Sequence, residues 1–494
     1  MDVDLLVVGG GINGAGIARD AAGRGLSVCL VEQDDLASHT SSASTKLIHG
    51  GLRYLEQYEL RLVREALAER ERLMAIAPHL IHPQRFVLPY VEGLRPRWLL
   101  RLGLFVYDHA GGREKLSASD SVLLAGTPLG APLRPTLQTG FEYSDCRVDD
   151  ARLVVLNARD AADRGATVLT RTRLVEAHPA GKGWIARCES RLHGELTLHA
   201  RAIVNATGAW AGELPGAALG RTPHGRLRLV KGSHLAFPKL YDGEHAYLLQ
   251  SPDKRVVFTI PYEGRYTLVG TTDTPFEGDP ARVEVDESEV RYLCDCVSRF
   301  FREPLREQDV AWRYAGVRAL HDSGEARAQA VSRDYHLELT TDRDAPLLSV
   351  FGGKITTYRR LAEAALSLLA PALGMRDLED WTGGTPLPGG DLPGGDMARF
   401  TAHALERWQA LPVSLVTRLA RQYGTRMARI LGGARRVEDL GEVLGGDLTR
   451  AEVEYLYREE WATTAEDVLW RRTKAGLHGA ESDRVESVLE RLRH

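Results

Sequence analysis

Residues 40–55, TSSASTKLIHGGLRYL, bring together residue types that rarely share one short segment. They combine small hydroxyl side chains, a lysine, a histidine, a glycine pair and an arginine followed by a tyrosine. Hydroxyls and a free backbone suit close contact with phosphate oxygens, and a fixed cation binds an anionic group. The segment therefore predicts a loop that runs along an extended, phosphate-bearing ligand, with Lys46 near one of its polar edges.

The elements before this loop predict a βαβ unit. An apolar run at 4–8 favours a buried parallel strand, and Gly9, Gly11 and Gly14 follow in the GxGxxG register. A helix and a second strand come next, and the strand ends at Glu32. Such glycines let the backbone approach a pyrophosphate at the helix N-terminus, and the carboxylate accepts hydrogen bonds from a ribose. The unit predicts dinucleotide binding, leaves NAD and FAD open, and disfavours a 2′-phosphorylated ribose.

Bulk composition argues against several classes of protein. The chain has 494 residues, 44% of them hydrophobic, and its net charge of −4 argues against a nucleic-acid partner bound through phosphate neutralisation. Its five cysteines include no CxxC pair, so we expect a reduced, intracellular protein without a zinc site. The acidic start lacks the pattern of a signal peptide, and no apolar run approaches about 18 residues, so we expect no transmembrane helix.

Motifs spread over nearly the whole chain resemble those of one enzyme family. Besides residues 4–32 and 40–56, they are GFEYSDCRVDDARLV (140–154), VLTRTR (168–173), VNATGAW (204–210), VKGSH (230–234), VGTTDT (269–274), WRYAGVRAL (312–320), RDY (333–335), FGGKITTYRRLAE (351–363) and EDVLWRRTKAGL (466–477). Together they resemble the FAD-dependent sn-glycerol-3-phosphate dehydrogenase family, of the aerobic, membrane-associated type. The resemblance selects FAD as the cofactor. His39 departs from the family pattern, where a small residue is expected.

The resemblance implies an α/β fold with an FAD-binding, Rossmann-like domain of the D-amino-acid-oxidase or glutathione-reductase type. An antiparallel-sheet domain is predicted to carry the substrate pocket, because its segments alternate apolar residues with turns. A tandem LPGGD repeat marks the predicted linker. The predicted boundaries are 1–80, 141–224 and 311–375 for the FAD-binding domain, 81–140 and 225–310 for the substrate domain, 376–398 for the linker and 399–494 for a helical C-terminal domain.

FAD contacts are predicted in four parts of the chain. They are the glycine turn with its ribose acceptor, the hydroxyl-rich loop, the strands expected beside the adenosine, and a helix start near 353. An N-terminus there would stabilise the negative charge of a reduced flavin. The predicted cofactor contacts are Gly9, Gly11, Ile12, Asn13, Gly14, Glu32, Thr40, Ser41, Ser42, Ser44, Lys46, Leu47, Gly50, Gly51, Arg173, Ala206, Thr207, Gly208, Trp210, Gly353, Lys354, Ile355 and Thr356.

Arginines are the predicted phosphate clamps, because the guanidinium fork bonds two oxygens at once. The resemblance assigns substrate contacts to Arg53, Tyr54, Arg318, Arg333 and Lys354, and it counts Arg318 and Lys354 as catalytic as well.

Oxidation of a secondary alcohol needs a hydride acceptor and a base for the hydroxyl proton. A histidine suits the base, because its ordinary pKa lies near the working pH. His234, in KGSHL, is the predicted catalytic base, and His49, in LIHGG, is the alternative.

The resemblance implies oxidation of sn-glycerol 3-phosphate to dihydroxyacetone phosphate, with electrons passed from FAD to ubiquinone or menaquinone. We also expect a cytoplasmic homodimer, attached peripherally to the inner face of the cell membrane. Residues 95–109, RPRWLLRLGLFVYDH, predict either a segment on a membrane surface or a buried amphipathic element with snorkelling arginines. An oxidase that reduces O₂, an amino-acid or sarcosine-type flavin oxidase, and a non-catalytic flavin-binding sensor are the alternatives.

Overall fold

The computed structural model describes residues 1–57, 59–220, 227–251, 253, 255–321, 334–342, 345–376 and 379–493. The strands are β1 (Asp2–Val8), β2 (Val28–Val31), β3 (Leu47–Ile48), β4 (Ile81–Pro89), β5 (Asp120–Leu123), β6 (Thr139–Val148), β7 (Thr167–Leu169), β8 (Thr172–Ala180), β9 (Gly183–Ser190), β10 (Gly194–Asn205), β11 (Leu227–Pro238), β12 (Ala246–Gln250), β13 (Val256–Tyr262), β14 (Tyr266–Gly270), β15 (Thr274–Pro275), β16 (Trp312–His321), β17 (Tyr335–Asp342) and β18 (Ala345–Gly352). The helices are α1 (Ile12–Gly23), α2 (Leu60–Ile76), α3 (Arg97–Ala110), α4 (Asp150–Asp163), α5 (Leu214–Leu219), α6 (Glu287–Ser298), α7 (Tyr358–Leu373), α8 (Met397–Arg407), α9 (Val413–Tyr423), α10 (Met427–Leu431), α11 (Arg450–Glu460) and α12 (Ser482–Arg493).

The first sheet carries the predicted βαβ unit. Its strand order is β17-β18-β10-β1-β2-β7, with β9 and β8 added beside β10. The pairings β18–β10, β10–β1, β1–β2 and β2–β7 are parallel, as a sheet covered on both faces allows. Leu5, Leu6 and Val7 of β1 are fully buried, and α1, α4 and α7 pack on one face of the sheet. The βαβ prediction is confirmed, and β10 lies parallel to β1 on the other side from β2.

The second sheet is mostly antiparallel and has the order β15-β11-β14-β13-β12-β4-β6-β3. Strand β16 pairs with β11 along its whole length, and β5 pairs with β6. One face packs against α6 through an apolar cluster that includes Val269, Leu293 and Val297. The other face packs against α2 and α3 through a cluster that includes Val63, Leu104 and Phe141.

Three segments of the predicted FAD-binding domain contribute strands to the second sheet. They are residues 47–48, 141–148 and 312–321, which lie in β3, β6 and β16. The cause is strand pairing, because β6 runs antiparallel to β4 and β16 runs antiparallel to β11 over ten residue pairs. The chain therefore crosses between the two sheets more often than its motifs alone predict.

The residues after 396 form helices around a core of their own. This cluster draws only on side chains between 397 and 492, with Val416, Leu419 and Val453 fully buried. The segment before it, predicted as a linker, packs against the main body, since Leu387 is 1% exposed and its amide donates to the carbonyl of Ile76. Residues 467–472 form a π-helical turn.

Within the described residues, no helix combines the length and the apolar character needed to cross a bilayer. All five cysteines are buried thiols. A cluster of three or more side chains suited to a metal ion is absent from the described part of the chain.

Candidate cofactor and active site

The glycine turn after β1 leaves no room for side chains. Gly9 has a φ of +113°, and a Cβ there would lie 2.5 Å from the carbonyl oxygen of Ala206. A Cβ on Gly14, in the first turn of α1, would lie 1.9 Å from the carbonyl oxygen of Gly9. Glycine at both positions brings strand, helix and the Ala206 turn into contact, which is the geometry that lets a pyrophosphate approach the helix N-terminus.

The carboxylate of Glu32, at the end of β2, is held by two backbone amides. It accepts hydrogen bonds from the amides of Gly10 at 2.6 Å and Asp34 at 2.8 Å. Glu32 is 8% exposed, and burial raises its pKa. The two amides fix the carboxylate beside the glycine turn, at the position predicted for a ribose acceptor.

The hydroxyl-rich loop is tied to the same turn. Ser41 Oγ accepts a hydrogen bond of 3.0 Å from the amide of Ile12, the first residue of α1. Thr40 Oγ1 donates to the carbonyl oxygen of Val317 on β16, at 2.7 Å. The loop thus crosses from the helix N-terminus of the first sheet to the second sheet.

A cavity of about 530 Å³ opens between the glycine turn, the hydroxyl-rich loop and β8. Its size and its donor set fit the adenosine and pyrophosphate half of FAD. The predicted cofactor residues that line it are Gly9, Gly11, Glu32, Thr40, Ser41, Arg173, Ala206, Thr207, Gly208 and Trp210. His39 lines it too, with its ring against Trp210 at a centroid distance of 4.9 Å and Nε2 3.1 Å from Asp34.

Lys46, a predicted cofactor contact, forms an internal ion pair. Its Nζ donates to both carboxylate oxygens of Asp150, at 2.8 and 3.0 Å, and to the carbonyl of Ser42. Ser44 Oγ donates to the same carboxylate at 2.7 Å. Lys46 is 4% exposed and lines neither this cavity nor the second one described below. The lysine therefore holds the loop in place through an internal ion pair, and Ser44 does so through a hydrogen bond. Leu47 lies in the apolar core.

The predicted residues near 353 meet the glycine turn and the loop. Asn13 Nδ2 donates to the carbonyl of Gly352 at 3.1 Å, and a Cβ on Gly353 would come within 3.2 Å of that amide. Thr356 Oγ1 accepts from the amide of His49 at 3.3 Å. Ile355 and Thr356 form the short 3₁₀ turn that precedes α7. The structure brings these segments together, although they are about 300 residues apart in the chain.

A second cavity, of about 640 Å³, lies at the other end of the loop. Its lining includes the predicted substrate residues Tyr54 and Arg318, together with His49 and Gly51. Apolar side chains from α3, the start of α2 and strands of the second sheet make up much of the rest, along with Arg95, Gln250 and Arg255. Residues 38–41 thus line the first cavity, and residues 49, 51 and 52 line the second.

Arg318 is fixed on the wall of the second cavity by the VGTTDT segment. Its guanidinium forms an ion pair with Asp273 and donates to Thr271 Oγ1 and the carbonyl of Thr272, both at 3.1 Å. A Cβ on Gly232, in the VKGSH motif, would lie 2.1 Å from the guanidinium. The glycine therefore makes room for the arginine, which places a permanent cation beside the cavity.

His234 does not line either cavity. It is 1% exposed, its ring stacks on Tyr314 at a centroid distance of 4.8 Å, and Nε2 lies 3.0 Å from Thr45 Oγ1. Burial and the nearby cations Arg318 and Lys46 hold the pKa of His234 well below its ordinary range, so its imidazole is neutral at neutral pH. Of the two predicted bases, His49 is the one that faces the second cavity.

Lys354 contacts Tyr54, one of the residues that line the second cavity. Its ammonium is 3.7 Å from the centroid of the Tyr54 ring, which lines that cavity. This distance gives a cation–π contact that holds the ammonium near the substrate residues. Arg333 and the side chain of Arg53 lie outside the described residues, so their predicted roles stay predictions.

Sequence reasoning missed Thr271 and Asp273 as wall residues of the second cavity. The VGTTDT motif was one of the family-like segments, but no function was assigned to it. An acidic side chain beside a predicted phosphate clamp carries no signal in the sequence. Its position depends on the antiparallel pairing of β14, β11 and β16.

Family models cover almost the entire chain. A model described as FAD dependent oxidoreductase matches residues 4–359, and one described as the C-terminal domain of alpha-glycerophosphate oxidase matches residues 381–492. The protein is an FAD-dependent oxidoreductase. This class follows from the family matches together with the parallel sheet, the glycine turn and the two cavities.

Similar proteins of known activity indicate which family of FAD-dependent oxidoreductases the chain belongs to. Glycerol-3-phosphate dehydrogenase of Pseudomonas aeruginosa is 53% identical, over 98% of this chain and 93% of the relative. D-erythritol 1-phosphate dehydrogenase of Brucella abortus is 51% identical, over 98% of this chain and 97% of the relative. The crystal structure of glycerol-3-phosphate dehydrogenase from Bacillus halodurans with FAD has a TM-score of 0.76 and 27% identity, covering 100% of this chain and 90% of that one. The chain belongs to the FAD-dependent glycerol-3-phosphate dehydrogenase family.

Proposed function

We propose that the enzyme oxidises sn-glycerol 3-phosphate to dihydroxyacetone phosphate and passes two electrons to a membrane quinone, ubiquinone or menaquinone. The observation that carries this proposal is the second cavity, which both Arg318 and His49 line. The guanidinium of Arg318 suits the phosphate of the substrate. The imidazole of His49 suits the proton of a secondary alcohol that loses a hydride. Relatives with about 50% identity over nearly the full length support the substrate.

Phosphate binding is the role proposed for the cations around this cavity. Arg318 is held in place by Asp273 and Thr271, so little side-chain entropy is lost when an anion binds. Lys354, next to Tyr54, adds a second cation. We include Arg53 and Arg333 in this role on the family resemblance.

His49 is the base in this proposal. Its imidazole accepts the proton of the C2 hydroxyl while the C2–H bond breaks and its electron pair leaves as hydride, so that a C=O bond forms. FAD supplies the hydride acceptor. The amide of His49 donates to Thr356 Oγ1, which keeps the backbone of this residue at the wall. In this proposal His234 is structural. It stacks on Tyr314 and bonds to Thr45, so it supports the loop from behind without contacting the substrate.

The deciding experiment is an anaerobic absorbance spectrum of the FAD-loaded enzyme before and after addition of sn-glycerol 3-phosphate. Bleaching of the flavin by this compound, but not by glycerol or sarcosine, is the expected result. A flavin that stays oxidised would reject the substrate. Air is admitted in a second step, and fast recolouring in the absence of quinone would favour an oxidase over a dehydrogenase.

D-Erythritol 1-phosphate is the second candidate substrate. A relative named for this substrate matches the chain as well as the glycerol-3-phosphate dehydrogenases do. The second cavity, at about 640 Å³, has room for one more hydroxylated carbon. The two compounds share the phosphate ester and a secondary alcohol, so the same residues serve both. Initial rates of anaerobic bleaching with each compound, at equal concentrations, identify the preferred one.

Helix α3 is the element we propose for contact with a lipid surface. Four of its large apolar side chains are exposed, Trp98 at 68%, Leu99 at 44%, Leu102 at 50% and Phe105 at 53%. Such a run of exposed apolar side chains marks an interaction surface rather than a core helix. Leu99 and Leu102 also line the second cavity, so a quinone dissolved in lipid would meet the cavity at this helix.

The proposal includes attachment to the inner face of the cell membrane and a homodimer. The exposed Arg97 on α3 suits anionic lipid headgroups. Co-sedimentation with lipid vesicles tests the attachment, and the mass of the detergent-free enzyme in solution tests the dimer.

A further inference from the structure

Tyr107, on the inner side of α3, makes a contact that none of the sequence motifs predicts. Its hydroxyl accepts a hydrogen bond of 2.8 Å from the amide of Gly50, the residue after His49. The same hydroxyl lies 2.8 Å from both oxygens of the Asp145 carboxylate, to which it donates. Tyr107 is 2% exposed and Asp145 is 3% exposed, so water does not compete for these bonds.

Asp145 is itself paired. Arg70 on α2 donates to the Asp145 carboxylate at 2.7 Å, and it donates to the carbonyl of Ser144 at 2.9 Å. Burial raises the pKa of the Tyr107 hydroxyl well above its ordinary value, so this hydroxyl stays protonated. A protonated hydroxyl that uses its proton to donate to Asp145 can meet the Gly50 amide only as an acceptor.

The loop at His49 is therefore held from two sides. Thr356 bonds the amide of His49 from the first-sheet side, and Tyr107 bonds the amide of Gly50 from the side of α3. A Cβ on Gly50 would lie 2.5 Å from Leu67 and 2.9 Å from the Tyr107 ring, so only glycine allows the loop to come this close. The two bonds hold the two peptide groups on either side of the His49 Cα.

We propose that Tyr107 is a positioning residue for the reaction: through the Gly50 amide it sets where the His49 imidazole stands in the substrate cavity. Tyr107 does not line that cavity and touches no reacting atom. It acts through the loop backbone. This inference rests on the proposed function, because it takes His49 to be the group that accepts the substrate proton.

The position of the His49 imidazole relative to the substrate must be precise. Proton and hydride transfer depend steeply on the distance between the base and the substrate, and a displacement of about 1 Å lowers a rate by roughly 100-fold. A loop with two adjacent glycines, Gly50 and Gly51, has little stiffness of its own. A buried, charge-assisted network is stiff, because each of its bonds is made in a low-dielectric interior.

The test compares Tyr107→Phe with a matched control, Tyr423→Phe. Tyr423 lies in the C-terminal domain, is 1% exposed, and donates to the buried carboxylate of Glu452 at 2.8 Å. Both variants remove one buried hydroxyl next to a carboxylate, so both should lose a similar amount of thermal stability. Tyr107→Phe should slow anaerobic flavin reduction by about 10- to 100-fold with KM changed less than threefold. Tyr423→Phe should leave both parameters unchanged.

A double variant shows whether Tyr107 acts by positioning His49 or only by stabilising the fold. If Tyr107 acts through His49, then Tyr107→Phe adds little further loss to His49→Gln, because the group it positions is already absent. Losses that multiply would overturn the inference, as would a Tyr107→Phe enzyme with the wild-type rate of flavin reduction. If Tyr107→Phe does not fold, Asp145→Asn keeps the shape and weakens the bond that orients the hydroxyl. It must then give the same loss in rate without a change in KM.

The outcomes also distinguish this inference from the proposed function. A wild-type enzyme whose flavin is not bleached by either polyol phosphate removes the proposed function. A wild-type enzyme that is bleached normally, next to a Tyr107→Phe enzyme that is bleached equally fast, leaves the function intact and removes only the inference.

Discussion

Arg472 and Asp35 are joined by two hydrogen bonds, of 2.6 and 2.8 Å, and both side chains are almost fully buried. Asp35 lies in the loop that follows Glu32, and Arg472 lies in the π-helical turn of the C-terminal domain. Arg471 donates to the same carboxylate at 2.7 Å. The C-terminal domain is therefore bonded to the loop beside the FAD cavity through charges that have no access to water.

Removal of Arg472 should destabilise the protein strongly. Arg472→Met leaves part of the Asp35 charge uncompensated in the interior, which costs about 3–5 kcal/mol for a broken buried pair. Denaturant unfolding of the FAD-loaded enzyme measures this loss. Arg484→Met is the control, because its pair with Glu442 is exposed and should contribute little. Equal stabilities of the two variants would contradict the prediction.

Arg318→Ala should weaken substrate binding and leave FAD in place. Loss of a charged hydrogen-bond partner costs about 1.5–3 kcal/mol, which corresponds to about a 10- to 100-fold rise in KM. Steady-state kinetics and the flavin spectrum report the two properties separately. Arg313→Ala, on the same strand, is the matched control, because Arg313 pairs with Glu287 at the surface. A normal KM in Arg318→Ala would reject the clamp.

His49→Gln should slow flavin reduction more than His234→Gln does. General-base catalysis contributes about 10²- to 10⁴-fold, and His49 is the histidine that faces the cavity. His234→Gln perturbs the packing on Tyr314 and the contact with Thr45. Its effect should be smaller. Single-turnover reduction by sn-glycerol 3-phosphate is the measurement, and the reverse order of effects would restore His234 as the base.

Stability should fall as the pH falls from about 6.5, in part because of His79. This residue is 1% exposed, and burial lowers its pKa from 6.5 to about 3 in the folded protein. Between those values the unfolded chain binds a proton that the folded chain does not, so the free energy of unfolding decreases by about 1.4 kcal/mol per pH unit. His79→Met should reduce that slope in unfolding curves taken between pH 6.5 and 4. Identical slopes would contradict it.

Charged substitutions on α3 should release the enzyme from lipid. Trp98→Glu and Phe105→Glu each remove an exposed apolar side chain, and burial of such a side chain is worth about 1.5–3 kcal/mol. Co-sedimentation with phosphatidylglycerol vesicles should show at least about tenfold weaker binding. Leu192→Glu, also exposed but on the turn between β9 and β10, is the control and should bind as the wild type does.

The first βαβ unit could be predicted because its signals are local. Strand, glycine turn, helix and Glu32 follow one another within 30 residues, and each pattern has one structural meaning. The antiparallel sheet was predicted as a class, but its boundaries were not, because pairing between β4 and β6 or between β11 and β16 joins distant segments.

The faces of the strands explain why the sequence could not place each site residue. On β11, Lys231 and Ser233 bond to Glu289 of α6, while Gly232 and His234 point the other way, behind the loop. Alternation along a strand is visible in a sequence, but the neighbour on each side is not. The partner of Lys46, Asp150, is 104 residues away, so the sequence does not reveal this ion pair.

The loop from Ser38 to Leu52 has a consequence for how the enzyme matures in the cell. One continuous stretch of backbone forms part of the FAD cavity at its start and part of the substrate cavity at its end. Binding of FAD therefore restrains the same chain segment that presents His49. We expect the newly made apoprotein to present His49 less precisely until FAD has bound, and limited proteolysis should cut residues 38–52 faster before FAD is added than after.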